Sequence, residues 1–561
     1  MTDDRGLLAA EAYLQAMKRF GVDALYSVSG TDFPSIVEAY GRAGADSSHM
    51  PRPLICPHEN LAVAMAHGHA LVTGRAQAAM VHVSVGTANM VCGAMNAARD
   101  NIPILLSAGR TPVTEDGPHG TRSRFIHWAQ EMFDQAGVLR EAVKWDYEIR
   151  TGEQVEDGLA RALEVAMAPP QGPVYLSLPR EMLAETVRSE RPDRRPTPTS
   201  PQAPDANAID RLAARIRAAE APVLITANAG RDHAAVGLLA ALAETWAVPV
   251  IEFNPRTVNL PADHPMHLGY ETGTALGDAD LIVALSVDVP WVPSVTRPLP
   301  TAAVVEIGVD PVHARYPMRS FQAEEAITAA PASALAALIE ALGPVGDAAP
   351  RVEARRRRVA QEHARRHGAI AAEAEGDRMT AASASRALAA LLPGASTIVN
   401  EYSFRMPQGR FTRPGSFYGA SPAGGLGWGF GAALGIRNAN PEGPVVAMLG
   451  DGAYMFNNPS ACHWAAEAHG LPILTVVFNN RRWGAVRNST LAMYAQGASA
   501  ADDGMFMADL SPSVDHVGLA RAHGAHAEAT GDLAALPGIV ERALTAVDGG
   551  QQALIALDLP E

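Results

Sequence analysis

Cysteine is nearly absent: among 561 residues there are three, Cys56, Cys92 and Cys462. They stand too far apart to make a metal-ligand pair, and so few thiols exclude a disulfide framework. They read as reduced thiols, with the cytoplasm as the expected compartment. Positive charge is also short, with 45 Lys and Arg against 60 Asp and Glu and a net charge of −15. That balance excludes an extended nucleic-acid face, which needs a basic surface. No uninterrupted apolar run reaches the ~18 residues of a membrane span, so no membrane partner is expected. The opening MTDDRGLLAAEAY is acidic and then amphipathic, unlike a secretory signal.

What is present is core-forming material. Hydrophobic residues make up 48% and charged residues 19%, which excludes disorder. The length suits about three domains at roughly 100–200 residues each. Near the start, Leu7, Ala10, Leu14 and Met17 share one helical face, with Gly21 as a stop. Short apolar runs follow at 24–28, 78–83, 102–109 and 172–179, separated by helical stretches. This βαβα rhythm implies a mostly parallel sheet covered by helices. Residues 187–206, rich in Pro and charge, read as a linker. A second α/β unit over 207–342 has strands near 222–229, 248–253, 280–286 and 303–311. Residues 343–378 break the pattern again. Their charged run RVEARRRRVAQEHARRHG reads as a second linker with a solvated helix face, not a binding patch. A third unit, 379–561, has strands at 397–401, 444–449 and 473–478. The expected fold is α/β with three doubly wound parallel-sheet domains, the first spanning 1–186. Any likeness among the units lies in fold and not in sequence.

The strongest signal is Gly450-Asp451-Gly452 directly after PVVAML, followed after 26 intervening residues by Asn479-Asn480 directly after ILTVVF. Between them, 459–469 reads as a helix with Asn458 as N-cap, Pro459 at its first position and Gly470 as its stop. This βαβ unit puts oxygen ligands at the carboxyl ends of two neighbouring strands, where open α/β sheets bind ligands. A carboxylate and an amide oxygen suit Mg²⁺, which keeps phosphate oxygens in its shell. Gly450 and Gly452 let the backbone approach a diphosphate and bond it through N–H groups, with Ala453 next in the turn. The helix N-terminus adds favourable partial charge.

This GDG-X26-NN pattern resembles the thiamine-diphosphate motif of the pyruvate decarboxylase and acetolactate synthase superfamily. The resemblance implies that Asp451, Asn480 and the main-chain carbonyl of Arg482 hold Mg²⁺. The spacing is slightly longer than in most close relatives, so Asn479 stays as the alternative to Asn480. Pro57-His58-Glu59-Asn60 looks like the element whose acid bonds the aminopyrimidine of the cofactor and promotes activation of the thiazolium. That chemistry needs a buried carboxyl able to share a proton. Taken alone, a Glu at a helix start is an ordinary dipole partner. Ala423-Gly424-Gly425-Leu426-Gly427 resembles the segment that holds the pyrimidine, through the carbonyl of Gly424 and the side chain of Leu426. The first unit is then the pyrimidine-binding domain and the third the diphosphate-binding domain. In this family the two meet across a subunit interface, which implies a homodimer or homotetramer.

Residues 142–148, 168–179 and 415–427 look most like the benzoylformate decarboxylase branch of that superfamily. His82 lies 23 residues after Glu59 and matches a proton-handling His; Thr31 matches a substrate-contacting Ser. A lone His at a strand end also fits a structural role. That branch has a second active-site His, but 286–295 has Trp291 or Val292 in its place. Residues 115–137 look more like the acetolactate synthase and benzaldehyde lyase side. There His119, Arg122, Arg124, His127 and Gln130 either meet a carboxylate or cofactor, or belong to a surface loop. The resemblance implies non-oxidative decarboxylation of a 2-oxo acid to an aldehyde. The alternative is a carboligase or lyase acting on 2-oxo or 2-hydroxy carbonyl compounds. Some relatives bind FAD in the middle domain; no convincing phosphate loop for it stands here.

Overall fold

The computed structural model describes residues 6–188, 194–439, 441–502 and 505–560. The chain forms three parallel sheets covered by helices, the α/β class expected above. Their central strands, such as Leu281–Leu285 and Val445–Gly450, are continuous apolar runs because both faces of a parallel sheet are covered. Cys56, Cys92 and Cys462 are free thiols. Among the described residues no single helix is long and apolar enough to cross a membrane.

The first sheet runs Arg52–Ile55, Ala24–Ser27, Gln77–Val81, Ile104–Arg110, Val174–Pro179, Asp146–Glu148. The third runs Phe417–Gly419, Thr397–Glu401, Val445–Gly450, Leu474–Asn479, Ala553–Asp558, His526–Thr530. Numbered along the chain, both follow the order 2-1-3-4-6-5. The outer units therefore share one topology without visible sequence similarity. In each, the order reverses between the first and third strands. The crevice beyond the carboxyl ends of that pair is the natural ligand position.

The shared topology also puts the helices Glu59–Thr73 and Gly429–Asn438 in equivalent places, after the second strand of each sheet. They pack against each other at glycines. A Cβ on Gly68 would overlap the carbonyl of Ala432, and one on Gly435 would overlap that of Met65. The core runs unbroken from the first unit to the third. The first helix starts at Glu59 because His58 caps it, its Nδ1 accepting the N–H of Asn60 at 3.1 Å.

Three segment readings change. Leu7–Leu8 is a short strand paired with Thr186–Val187, and the first helix is Ala9–Arg19. Val187 is thus in a sheet and Ala206 opens a helix, leaving a shorter connection than 187–206, of which 189–193 lie outside the described residues. Residues Ala349–Glu373 form one helix packed on the middle unit, where a linker was expected. The basic run is not all solvated. Arg355 is buried and donates to the carbonyls of Ile216, Ala219 and Trp246, the unpaired ends of two helices. Burial lowers its pKa to about 10, still well above neutrality.

Candidate active site

In the third unit, Gly450 ends a strand opposite Phe478 of its parallel neighbour, so the GDG and NN turns lie side by side. Asp451 opens a short helix, Asp451–Phe456, that the sequence pattern did not announce; the expected helix Pro459–His469 follows it. The buried Asp451 carboxylate accepts the N–H of Gly452 at 2.9 Å and lies against the N–H groups of Arg481 and Arg482. Burial raises its pKa and those donors oppose the rise. Asn480 Oδ1 accepts the N–H of Arg482 at 3.0 Å. Asn479 points the other way, its Nδ2 donating to Asp558 at 2.9 Å and Ser513 at 3.1 Å. Asn479 thus turns toward Asp558 and Ser513, while Asn480 and Asp451 each lie against the Arg482 N–H.

One carboxylate with neutral amide and carbonyl oxygens is a donor set for a hard cation such as Mg²⁺. Among the described residues no group of three His, Cys, Asp or Glu offers a different metal site. The glycines serve packing more than open access. A Cβ on Gly450 would press on Ser403 Oγ, and one on Gly452 would overlap the Trp483 indole. The Gly452 N–H is already held by Asp451. Ala453 is buried in the short helix and its carbonyl accepts from Asn457 Nδ2. Ser403, which nothing in the sequence pattern singled out, brings a hydroxyl to the switch point of the third sheet.

Glu59 is 9% exposed. Its Oε2 accepts from Asn89 Nδ2 at 3.1 Å; its Oε1 lies beside Gly86 and accepts no hydrogen bond from any described residue. That leaves one carboxylate oxygen of a largely buried residue with no hydrogen bond from any described residue. Asn60 Nδ2 donates to the Gly427 carbonyl at 2.7 Å, and Asn96 pairs with both backbone groups of Gly425. Behind this segment, the fully buried Glu401 accepts the N–H groups of Gly427, Trp428 and Gly429, and Asn457 Nδ2. Burial pushes its pKa up and the four donors counter it. Gly424 adopts φ +68° at an exposed turn, and Leu426 is half-buried. The Asn60 and Asn96 bonds thus place the helix that Glu59 opens and the Gly425–Gly427 backbone at one junction within the chain.

His82 follows the strand Gln77–Val81 and begins the helix Val83–Asn89, whose Gly86 and Asn89 brace Glu59. Its Nδ1 lies 2.5 Å from Oδ1 of the buried Asp32, whose Oδ2 accepts the Val83 N–H at 3.2 Å. The hydrogen bond to Asp32 holds the His82 pKa above its ordinary value, against burial. Gln130 Nε2 is 3.3 Å from His82 Nε2. Asp32 was not singled out in the sequence; its neighbour Thr31 was, and the Thr31 hydroxyl bonds no described residue. Of the loop residues 115–137, only Gln130 reaches His82. His127 accepts from Ser123 N–H, Arg122 is engaged with Pro112, Glu131 and Trp128, and His119 and Arg124 are exposed. Trp291 is buried edge-on against Phe321 in the middle unit, and Val292 faces solvent.

The crevice of the middle sheet, between Pro222–Thr226 and Leu281–Leu285, is filled by protein. The Asn228 N–H bonds the Ser286 carbonyl across it, the Arg256 N–H bonds the Ala227 carbonyl, and Arg256 pairs with Asp288 at 3.1 Å. A Cβ on Gly230 would overlap the Val258 carbonyl. These groups bond to one another across the switch point of the middle sheet, and FAD is not supported.

Three domain models match the chain, all of thiamine pyrophosphate enzymes: the N-terminal TPP binding domain over residues 8–138, the central domain over 209–338 and the C-terminal TPP binding domain over 402–556. A sulfoacetaldehyde acetyltransferase of Rhodobacter capsulatus is 26% identical, over 97% of this chain and 93% of its own. A benzoylformate decarboxylase of Pseudomonas aeruginosa is 26% identical, over 87% of this chain and 89% of its own. The solved 4-hydroxybenzoylformate decarboxylase of Rhodococcus jostii superposes with a TM-score of 0.78 at 21% identity, covering 99% of each chain, a likeness of fold. With all three domain models matched in order, this chain belongs to the thiamine pyrophosphate enzyme family.

Proposed function

We propose that the protein is a thiamine-diphosphate- and Mg²⁺-dependent decarboxylase that converts a 2-oxo acid to an aldehyde and CO₂ without net oxidation. Bound thiamine diphosphate supplies an electron sink for breaking a carbon–carbon bond next to a carbonyl. Asp451, Asn480 and the Arg482 carbonyl are the residues to hold Mg²⁺, with Ser403 and the GDG turn beside the diphosphate. Glu59 offers its free Oε1 to the pyrimidine, which the Gly424 carbonyl and Leu426 orient.

One observation carries decarboxylation over ligation: a histidine paired with a buried carboxylate begins the very helix that braces Glu59. A decarboxylase must deliver a proton to the carbon that loses CO₂, and a charged imidazole is suited to that step. A carboligase must keep that carbon unprotonated until a second carbonyl arrives. The ligase or transferase reading is kept because one relative is named for acetyl transfer. Assembly to a dimer or tetramer and a cytoplasmic location belong to the same proposal. Exposed Phe125, Phe133, Phe506 and Met507 support self-association. Product analysis with one 2-oxo acid, with and without an added aldehyde, separates the two chemistries. Free aldehyde equal to the CO₂ released supports decarboxylation, and a coupled product alone supports ligation.

A further inference from the structure

We propose that Asp32 is the positioning residue of this site, holding His82 as a cation through Nδ1 and leaving the Nε2 proton as the one delivered to product. The inference rests on the decarboxylase reading and names a partner for its proton donor.

Five features of the chain converge on this pair. Asp32 follows the first strand and His82 the third, so they face each other across the switch point of the first sheet, the position that Ser403 and Asp451 take in the third. Both Asp32 oxygens are committed, Oδ1 to the imidazole and Oδ2 to the Val83 N–H. Val83 sits at φ +33°, a costly conformation for a β-branched residue, and that second bond helps hold it there. Two glycines make room for the pair: a Cβ on Gly30 would overlap the His82 ring, and one on Gly109 would overlap the Asp32 carboxyl. Finally, Gln130 presents its amide to His82 Nε2 while its own Oε1 is buried without a partner.

That last feature suits a group that gives up and regains a proton. Neutral imidazole offers a lone pair at Nε2 to the amide N–H; imidazolium offers a proton, which Oε1 accepts after a half-turn of the amide. Both protonation states are therefore satisfied by one side chain. Besides Asp32, the charged groups acting on His82 are Glu59, which favours the cation, and His127, which opposes it when protonated. In the step itself, the bond to the carboxylate carbon breaks and CO₂ leaves. The Nε2 proton passes to the former carbonyl carbon, and the neutral imidazole is recharged from water while Asp32 keeps its hydrogen bond to Nδ1.

The test is Asp32→Asn, which keeps the shape and removes the charge. His82 is followed by NMR in protein carrying ¹³C-labelled histidine, assigned by the signal lost in His82→Gln. The expected result is a wild-type pKa above 6.5. In Asp32→Asn it falls by about one unit or more, the usual effect of losing an adjacent opposite charge. With the best 2-oxo acid, kcat falls about a hundredfold or more. Its alkaline limb moves to lower pH by the same amount, and thiamine diphosphate affinity holds. A wild-type pKa at or below 6.5 overturns the proposal and needs no variant to fold. An unmoved titration in Asp32→Asn, or a moved titration with an unmoved kcat limb, overturns it too. The titration needs no substrate, so failure of the decarboxylase reading shows separately, as wild-type enzyme that releases no CO₂.

Discussion

Asn60 and Gly427 are joined by a buried hydrogen bond of 2.7 Å from the Asn60 side chain to the Gly427 carbonyl. The residue after Glu59 is thereby fixed to the residue after Leu426. A buried amide–carbonyl bond is costly to leave unmade, on the order of 1–3 kcal/mol for the stranded partner. It keeps Glu59 of one unit in register with the Gly424–Leu426 segment of another. Glu401 adds the complementary restraint from behind by gathering three successive N–H groups of that segment.

Asp451→Ala removes the one carboxylate from the oxygen set proposed for Mg²⁺. Affinity for thiamine diphosphate with Mg²⁺ is expected to fall at least about a hundredfold, matching ~3 kcal/mol for a lost buried charge partner. Calorimetric titration checks this. Asn479→Ala should instead leave affinity nearly intact and lower thermal stability, because Asn479 ties its strand to Asp558. Equal binding losses in the two variants would contradict the assignment of Asn480 as the ligand.

Glu59→Gln keeps the size of the side chain and its bond from Asn89 but cannot pass a proton. Fold and assembly should be unchanged by circular dichroism and sedimentation. Exchange of the thiazolium C2 proton of bound cofactor in deuterated buffer should slow by about 10²-fold or more. Wild-type exchange would place the activating acid elsewhere.

Gly30→Ala tests the geometry around His82 without touching a functional group. The new methyl must push the imidazole aside, and overpacking of this kind costs about 1–3 kcal/mol. kcat should approach that of His82→Ala, about 10²–10⁴-fold below wild type. A Gly30→Ala enzyme with wild-type turnover would mean that the observed His82 position is not the working one.

Asp100 supplies a pH prediction. Burial favours its neutral form, but Arg231, His67 and Arg256 together hold its pKa down to about 2, against 3.8 ordinarily. A depressed carboxyl stabilises the fold above its unfolded pKa, and that stability is lost as pH falls through the folded value. The junction of the first and middle units, where Asp100 meets Arg231 and Arg256, should therefore loosen between about pH 4 and pH 2. Near-UV circular dichroism follows it. Asp100→Asn should lower stability at pH 7 by about 3–5 kcal/mol and flatten this acid transition. A variant with an unchanged acid profile would contradict the role of Asp100.

The three parallel sheets were legible because their strands are short apolar runs bounded by turns, and the GDG and NN turns because they sit at strand ends. Asn480 was named from the resemblance, with Asn479 as its alternative; the turn of Asn479 toward Asp558 was not legible, since it depends on which face of its strand the residue occupies. Ser403, Glu401 and Asp32 escaped notice for a common reason: each works through a partner at least 25 positions away, and no local spacing encodes that meeting. Arg355 is similar. Its run of arginines reads as solvated until the helix ends that it caps come into view.

The most direct measurement is the stoichiometry of CO₂ and free aldehyde from a panel of aliphatic and aromatic 2-oxo acids, with thiamine diphosphate and Mg²⁺ present or withheld. The expected result is that at least one acid yields CO₂ and aldehyde in equal amounts, only with both cofactors, and that the yield persists when a second aldehyde is added. Absence of CO₂ release from every acid, or CO₂ accompanied only by a coupled hydroxyketone, would contradict it.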